Sequence, residues 1–230
     1  MRVDTKILSI FLAVFLLFFF VSVHSIYAAR RYLVGTGNFN NTAIWSTTSG
    51  GSGGASVPTS ADWVVLDANS NDFVVTLVSV TTIDSLSIAA GTFNTSSFRF
   101  TVRGPTELTS DSLLLGSGQK ILSGDLNVSG GFLDFGSATV DVLGDFNISN
   151  GVFNAGTSTL RFSGLSGIEQ TLSAGISLTL NNVTVSQSYL FNPTAGVIFD
   201  NSSLGGIIIT INGTLNMVYP DQEGLFFTDI

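Results

Sequence analysis

Residues 124–143, GDLNVSGGFLDFGSATVDVL, run without a gap into residues 144–163, GDFNISNGVFNAGTSTLRFS. At an offset of 20, Gly124/Gly144, Asp125/Asp145, Asn127/Asn147, Ser129/Ser149, Gly131/Gly151, Gly136/Gly156 and Thr139/Thr159 are identical. Leu126/Phe146, Val128/Ile148, Leu133/Phe153, Val140/Leu160 and Val142/Phe162 keep their apolar character. Between the glycines lie apolar–polar alternations of three to five residues, the period of a strand with one buried face. A unit of about 20 residues with two or three such strands cannot bury its apolar side chains alone. Stacked on its neighbour it can, each strand pairing in parallel with its equivalent about 4.8 Å away. The expected fold is all-β, a right-handed parallel β-helix or solenoid with coils of about 20 residues.

The register extends upstream, where Gly104 precedes Gly124 by 20, Leu86 and Ile88 share the Leu126 and Val128 columns, and Phe100 and Val102 share those of Val140 and Val142. Leu126, Val128, Leu133, Val140 and Val142 are expected to point inward, and Asp125, Asn127, Asp134, Thr139 and Asp141 outward. Asp141 and Arg161 share a column and are expected to form an exposed ion pair. A β-sandwich would not require a gapless self-match, and the strands are too short for a membrane barrel, which needs about 9–11 residues.

Residues 1–28 have the order of a secretory signal: Arg2 and Lys6, an apolar stretch from Ile7 to Val23, then small residues at Ser25, Ala28 and Ala29. Retained, the segment would anchor the chain in a membrane. Residues 29–61, with Phe39, Trp45 and a Gly/Ser stretch at 49–56, are expected to cap the first coil, because an open coil edge would pair with other chains. Trp45 and Trp63 offer the alternative of a sugar-stacking platform. The array is expected over 62–217, where Val197–Phe199, Ile207–Ile211 and Leu215–Met217 read as coils in drifting register. Residues 218–230 read as a tail, with self-association through the last coil edge one way to cover it.

Two segments carry a resemblance. Gly35-Thr-Gly-Asn-Phe39, Trp45-Ser, Ser49-Gly-Gly, Val57-Pro-Thr-Ser-Ala-Asp62 and Val64-Val-Leu-Asp67 are similar to the opening of secreted bacterial and archaeal β-solenoid surface proteins. Leu33 and Phe39 stand where Trp is usual there, and Trp63 where a polar residue is usual. Gly144–Val185, with Thr159-Leu-Arg-Phe162-Ser-Gly and Gln170-Thr-Leu-Ser-Ala-Gly, resembles the repeats of autotransporter-passenger and filamentous-haemagglutinin-like adhesins. The resemblance implies an exported, non-catalytic surface or envelope protein with glycans or cell-surface molecules as partners. The alternative it leaves is a carbohydrate-binding or carbohydrate-active β-helix.

Composition narrows the chemistry. Sixteen acidic residues against eight basic ones argue against nucleic acid, whose phosphates need Lys and Arg. There is no Cys, and the one His, His24, belongs to the signal segment. Without residues 1–28 no Ser-His-Asp triad and no His- or Cys-based zinc site can be assembled. Lys120, the lone lysine outside the signal, is expected on a turn. Oxygen ligands remain, so calcium is the cofactor the chain could take. Asp125 and Asp145, stacked at turns, are the candidate ligands, with Asp62, Asp67 and Asp72 a second cluster. Turn-capping is the competing role for all of them. Seven N-x-S/T sequons, at Asn40, Asn94, Asn127, Asn147, Asn182, Asn201 and Asn212, are candidate glycosylation sites on an exported surface.

Overall fold

The computed structural model describes residues 28–164 and 170–185, together with the backbone of 186, 197–200, 209–211, 215–218 and 226–228. Of the signal segment only Ala28 falls within it. A first, incomplete coil holds β1 (Ala29–Leu33), β2 (Gly37–Asn38) and β3 (Trp45–Ser46). Three-strand coils follow: β4 (Asp62–Leu66), β5 (Val74–Thr76) and β6 (Thr81–Ile83); β7 (Ser85–Ile88), β8 (Thr92–Asn94) and β9 (Phe100–Val102); β10 (Thr106–Leu108), β11 (Ser112–Leu114) and β12 (Gln119–Leu122). The two self-similar units are β13 (Leu126–Val128), β14 (Phe132–Asp134) and β15 (Thr139–Val142), then β16 (Phe146–Ile148), β17 (Val152–Asn154) and β18 (Thr159–Phe162). Beyond them come β19 (Gln170–Ala174), β20 (Leu178–Leu180) and β21 (Asn182–Ser186), then β22 (Val197–Asp200), β23 (Ile209–Ile211) and β24 (Leu215–Val218), and last β25 (Phe226–Thr228).

Corresponding strands stack into sheets of ten, six and seven strands, and β20 and β23 form a separate pair. The chain is a β-solenoid. From β7 to β18 the ladders keep an offset of 20: Leu86, Thr106, Leu126 and Phe146 stack in one column, and Phe100, Lys120, Val140 and Leu160 in another. The apolar side chains of these columns fill one continuous core, Leu126, Val128, Leu133, Val140, Val142, Phe146, Ile148, Leu160 and Phe162 all being buried. Parallel stacking begins at β1, which pairs with β4, and reaches β25, which pairs with β22. The solenoid therefore extends into both the segment expected as a cap and the one expected as a tail.

Capping at the N-terminal end is local. The strand β3 runs antiparallel to β1 along the sheet edge, and the Ala55 N–H from the Gly/Ser stretch donates to Trp45 O at 2.9 Å. Trp45 has no exposed surface, its Nε1 donates to Phe39 O at 2.8 Å, and its ring meets Phe39 edge-on at 5.2 Å.

The glycines serve two different needs. At the corner after the six-stranded sheet, Gly116, Gly136 and Gly156 stack with φ of 60°, 57° and 55°, in the left-handed region. Each is linked to the next coil by a backbone hydrogen bond one residue on, Ser137 N to Gly116 O and Thr157 N to Gly136 O. Ser96 occupies the same column at φ 53°, with a side chain that disfavours it. At Gly144 the need is space, since a Cβ would lie 2.7 Å from the backbone nitrogen of Asp125.

The 20-residue pitch ends after β18. Phe146 pairs with Leu172, an offset of 26, whereas Thr159 pairs with Asn182, an offset of 23. The β19–β21 coil thus goes round the side of the six-stranded sheet in three fewer residues than the β16–β18 coil. It cuts the corner, β20 does not join that sheet, and β17 is left as its edge, with Val152 61% exposed.

Two substitutions in one corner column are expected to act oppositely. Gly136→Ala would place a Cβ 2.3 Å from Gly116 O and force a side chain into a left-handed φ, and it should cost about 1–3 kcal/mol. Ser96→Gly relieves the same strain and should stabilise by roughly 0.5–1 kcal/mol. Urea or thermal unfolding of both variants checks the pair.

Candidate functional site

The aromatic pair does not form a platform. Trp45 is fully buried in the cap, and Trp63 is half-buried beneath Arg30, whose guanidinium carbon lies 4.6 Å from the ring centroid. The sugar-stacking alternative for these two residues is therefore withdrawn: one ring has no accessible face and the other is covered by a cation.

Asp125 and Asp145 stack at one turn column, and each reaches the coil that follows. The Asp145 N–H donates to Asp125 Oδ1 at 2.9 Å, and the Thr171 N–H donates to Asp145 Oδ1 at 2.8 Å. One oxygen of each carboxylate therefore holds an otherwise unpaired backbone donor at the coil junction. The second acidic cluster is dispersed. Asp62 accepts from the Thr59 N–H and hydroxyl at 2.8 and 2.6 Å and pairs with Arg31 at 3.5 Å. Asp67 caps the 3-10 turn Ala68–Ser70, and Asp72 lies exposed at a corner with φ 62°. Among the described residues no three His, Cys, Asp or Glu side chains gather as a metal site.

Asp141 and Arg161 do meet, Nε to Oδ1 at 3.0 Å, but the pair is not the exposed one expected. Asp141 faces outward from β15 and is still buried, while the Arg161 side chain is 40% exposed. Its column neighbours Ile121 and Arg161 cover it from either side, and Gln119 Nε2 donates to its Oδ2 at 2.8 Å. The Arg161 N–H is not aimed at Oδ1, so that contact is ionic and the Gln119 amide supplies the directed bond.

Lys120 is the larger departure. It lies within β12, not on a turn, and its side chain enters the core in the column of Phe100, Val140 and Leu160 with no exposed surface. Nζ donates to Phe98 O on the preceding coil and to Ser117 O on its own coil, the latter at 2.6 Å. Burial pushes its ammonium down from the ordinary 10.5 to about 8. A second buried polar group, Gln170, starts β19. Its Nε2 donates to Val142 O and Gly144 O at 3.0 and 2.7 Å, and its Oε1 accepts the Gly164 N–H at 2.8 Å.

The sequons fall in different settings. Asn40 is exposed on a turn. The Asn94 side chain is half-buried and accepts the Ser96 N–H at 2.8 Å. Asn127 and Asn147 are neighbours on one sheet face, Asn147 Nδ2 donating to Asn127 Oδ1 at 3.0 Å. Asn182 is half-buried in β21, and Asn201 and Asn212 lie outside the described residues. An opening among the described residues that sequence reasoning did not foresee lies at the cut corner. It is a cleft of about 230 Å3 lined by Phe153, Asn154, Ala155, Gly156, Thr179, Leu180 and Asn181.

Comparison with protein-family models, with curated proteins and with solved structures found no match.

Three measurements test these assignments. Millimolar calcium is expected to leave the melting temperature unchanged, because Asp125 and Asp145 already hold backbone donors; a rise reversed by chelator would restore them as ligands. Arg161→Glu should destabilise by about 1–3 kcal/mol, because it faces a buried carboxylate with a like charge. Lys120 sets a pH dependence with a defined sign. Below about pH 8 the ammonium is protonated folded and unfolded, and its burial cost is fully present. Between about pH 8 and 10.5 the unfolded chain binds the extra proton, so stability rises with pH, by up to about 3 kcal/mol. Denaturant unfolding at pH 7.5 and 10 should show this rise in the natural chain and not in Lys120→Met.

Proposed function

We propose that the protein is an exported, non-catalytic β-solenoid of the cell surface or envelope, adhesin-like in the manner of autotransporter-passenger and filamentous-haemagglutinin-like repeats. One observation carries this reading. The polar side chains best suited to chemistry are already bound across coils: Lys120 to two carbonyls, Asp125 and Asp145 to backbone N–H groups, Asp141 to Gln119 and Arg161. They hold a rod together, and the rod presents outward ladders such as Asn127–Asn147 to glycans or cell-surface molecules. Sequons on that surface, Asn40 foremost by exposure, suit an exported glycoprotein. Since one fold hosts many functions, the site chemistry and not the solenoid shape must discriminate among partners.

A second reading, glycan binding at a defined site, is favoured by the cleft beside β17. It offers an aromatic wall at Phe153 with Asn154, Thr179 and Asn181 around it. Fractionating cells that make the protein naturally tests the first reading: it should be recovered from the envelope or the medium, and recovery from the cytosol would overturn it. A glycan array probed with and without calcium tests the second. Binding lost in a Phe153→Ala variant that still melts cooperatively would support the cleft, and binding that survives the substitution would remove it.

A further inference from the structure

The turn from β16 into β17 holds Asn150 followed by Gly151, a pair with a reaction of its own. A backbone nitrogen can attack the carboxamide carbon of the asparagine before it when three conditions are met. The nitrogen must be free to give up its proton, the residue that carries it must not block the approach, and water must reach the site. Glycine meets the second condition because it has no side chain. The turn also requires it, since Gly151 has φ 106°, where L side chains are disfavoured.

The structure meets the other two. Asn150 is exposed, and Gly151 is partly so. The Gly151 N–H has no hydrogen-bond partner among the described residues. On the same column Gly91 is held, its N–H donating to Asp111 Oδ2 at 3.0 Å. The N–H groups that follow Asn38, Asn40, Asn69, Asn94 and Asn181 all donate to backbone carbonyls, and the residues that carry them have side chains. The self-similar coil has Gly130 and Gly131 at the corresponding positions, so it lacks the reacting carboxamide.

We propose that Asn150 is a modification site, deamidated spontaneously in the folded protein. The Gly151 nitrogen gives its proton to solvent base and bonds to Asn150 Cγ. The Cγ–Nδ2 bond breaks, and Nδ2 takes up a proton from water and leaves as ammonia. The product is a cyclic succinimide, which one water molecule opens. Breaking the bond from Cγ to the Gly151 nitrogen gives aspartate on a normal backbone. Breaking the bond from the carbonyl carbon of residue 150 to that nitrogen gives isoaspartate, whose backbone runs through Cβ and Cγ. Either outcome adds a carboxylate where the chain enters β17, the edge of the six-stranded sheet. A charge is among the devices that keep an edge strand from pairing with another chain.

Peptide mapping by mass spectrometry tests this on the natural chain, held folded at neutral and at mildly alkaline pH. Position 150 should gain about 1 Da, as aspartate and isoaspartate together, at least about tenfold faster than any other described asparagine. The rate should rise with pH, because the attacking nitrogen is a deprotonated amide. A synthetic peptide of residues 147–154 gives the rate without the fold, and the folded chain should come within about tenfold of it. Asn150→Gln, whose longer side chain closes the corresponding ring far more slowly, should show no gain at 150. A gain at 150 that does not outpace Asn127 and Asn147 would overturn the proposal. So would a folded chain that reacts more than about tenfold more slowly than the peptide, because the turn would then be protecting the pair.

Discussion

Everything in this molecule follows from the vertical spacing of its coils. Each side chain sits about one strand spacing above its equivalent, so like is stacked on like over most of the array. For apolar residues this is favourable without further arrangement, and the core is continuous from Leu33 to Val185. For amides it is also favourable, since Asn147 donates to Asn127 and Asn154 Nδ2 donates to Asp134 Oδ1. For charges it is unfavourable, and the chain meets the problem in two ways. Asp125 and Asp145 each direct an oxygen to a backbone N–H, which stabilises the negative charge. Asp141 is placed between Ile121 and Arg161, so no carboxylate stacks on it. The low charge content is what this spacing demands, since each exposed charge needs a neighbour of a different kind above and below it.

The fold was legible because a period of 20 is written directly in the residues and alternation of two assigns each side chain a face. The same logic applied one position further would have placed Lys120. It lies 20 after Phe100 and 20 before Val140, both read as inward, and the reading of 120 as a turn gave weight to the nearby Gly118 over its column. Asp141 was correctly assigned to the outer face, but face and exposure are different properties. Gln119 and Arg161 lie over it, and neither is visible from alternation. Gln170 and the cleft were not legible at all. They arise where the offset changes from 20 to 26 and then 23, and no repeat predicts the point at which it stops.

That change of offset is also where the structure becomes asymmetric. Six additional residues separate β18 from β19, and Gln170 ties Gly164 to the preceding coil. Three residues fewer between β19 and β21 leave the chain too short to follow the six-stranded sheet. Three extended residues span about 10 Å, roughly the length of one three-residue strand of that sheet, so the shortfall appears as a missing rung. The edge of β17, the exposed Val152 and the cleft beside Phe153 are three aspects of this one deletion. Natural sheets usually blunt such an edge with a charge or a proline. Here the residues lining the cleft beside it, Phe153, Asn154, Ala155, Gly156, Thr179, Leu180 and Asn181, include neither.

The buried polar groups show why stability alone does not account for the sequence. Val140 and Leu160 fill the Lys120 position on later coils without any charge to bury, so an apolar residue there is compatible with the fold. An ammonium at that depth is disfavoured enough to lower its pKa to about 8, and its two carbonyl partners offset only part of the cost. A chain under selection only for a more stable rod would have Val or Leu at 120, as its own repeats do. What the lysine adds is a tie between coils, its ammonium joining Phe98 O of the preceding coil to Ser117 O of its own.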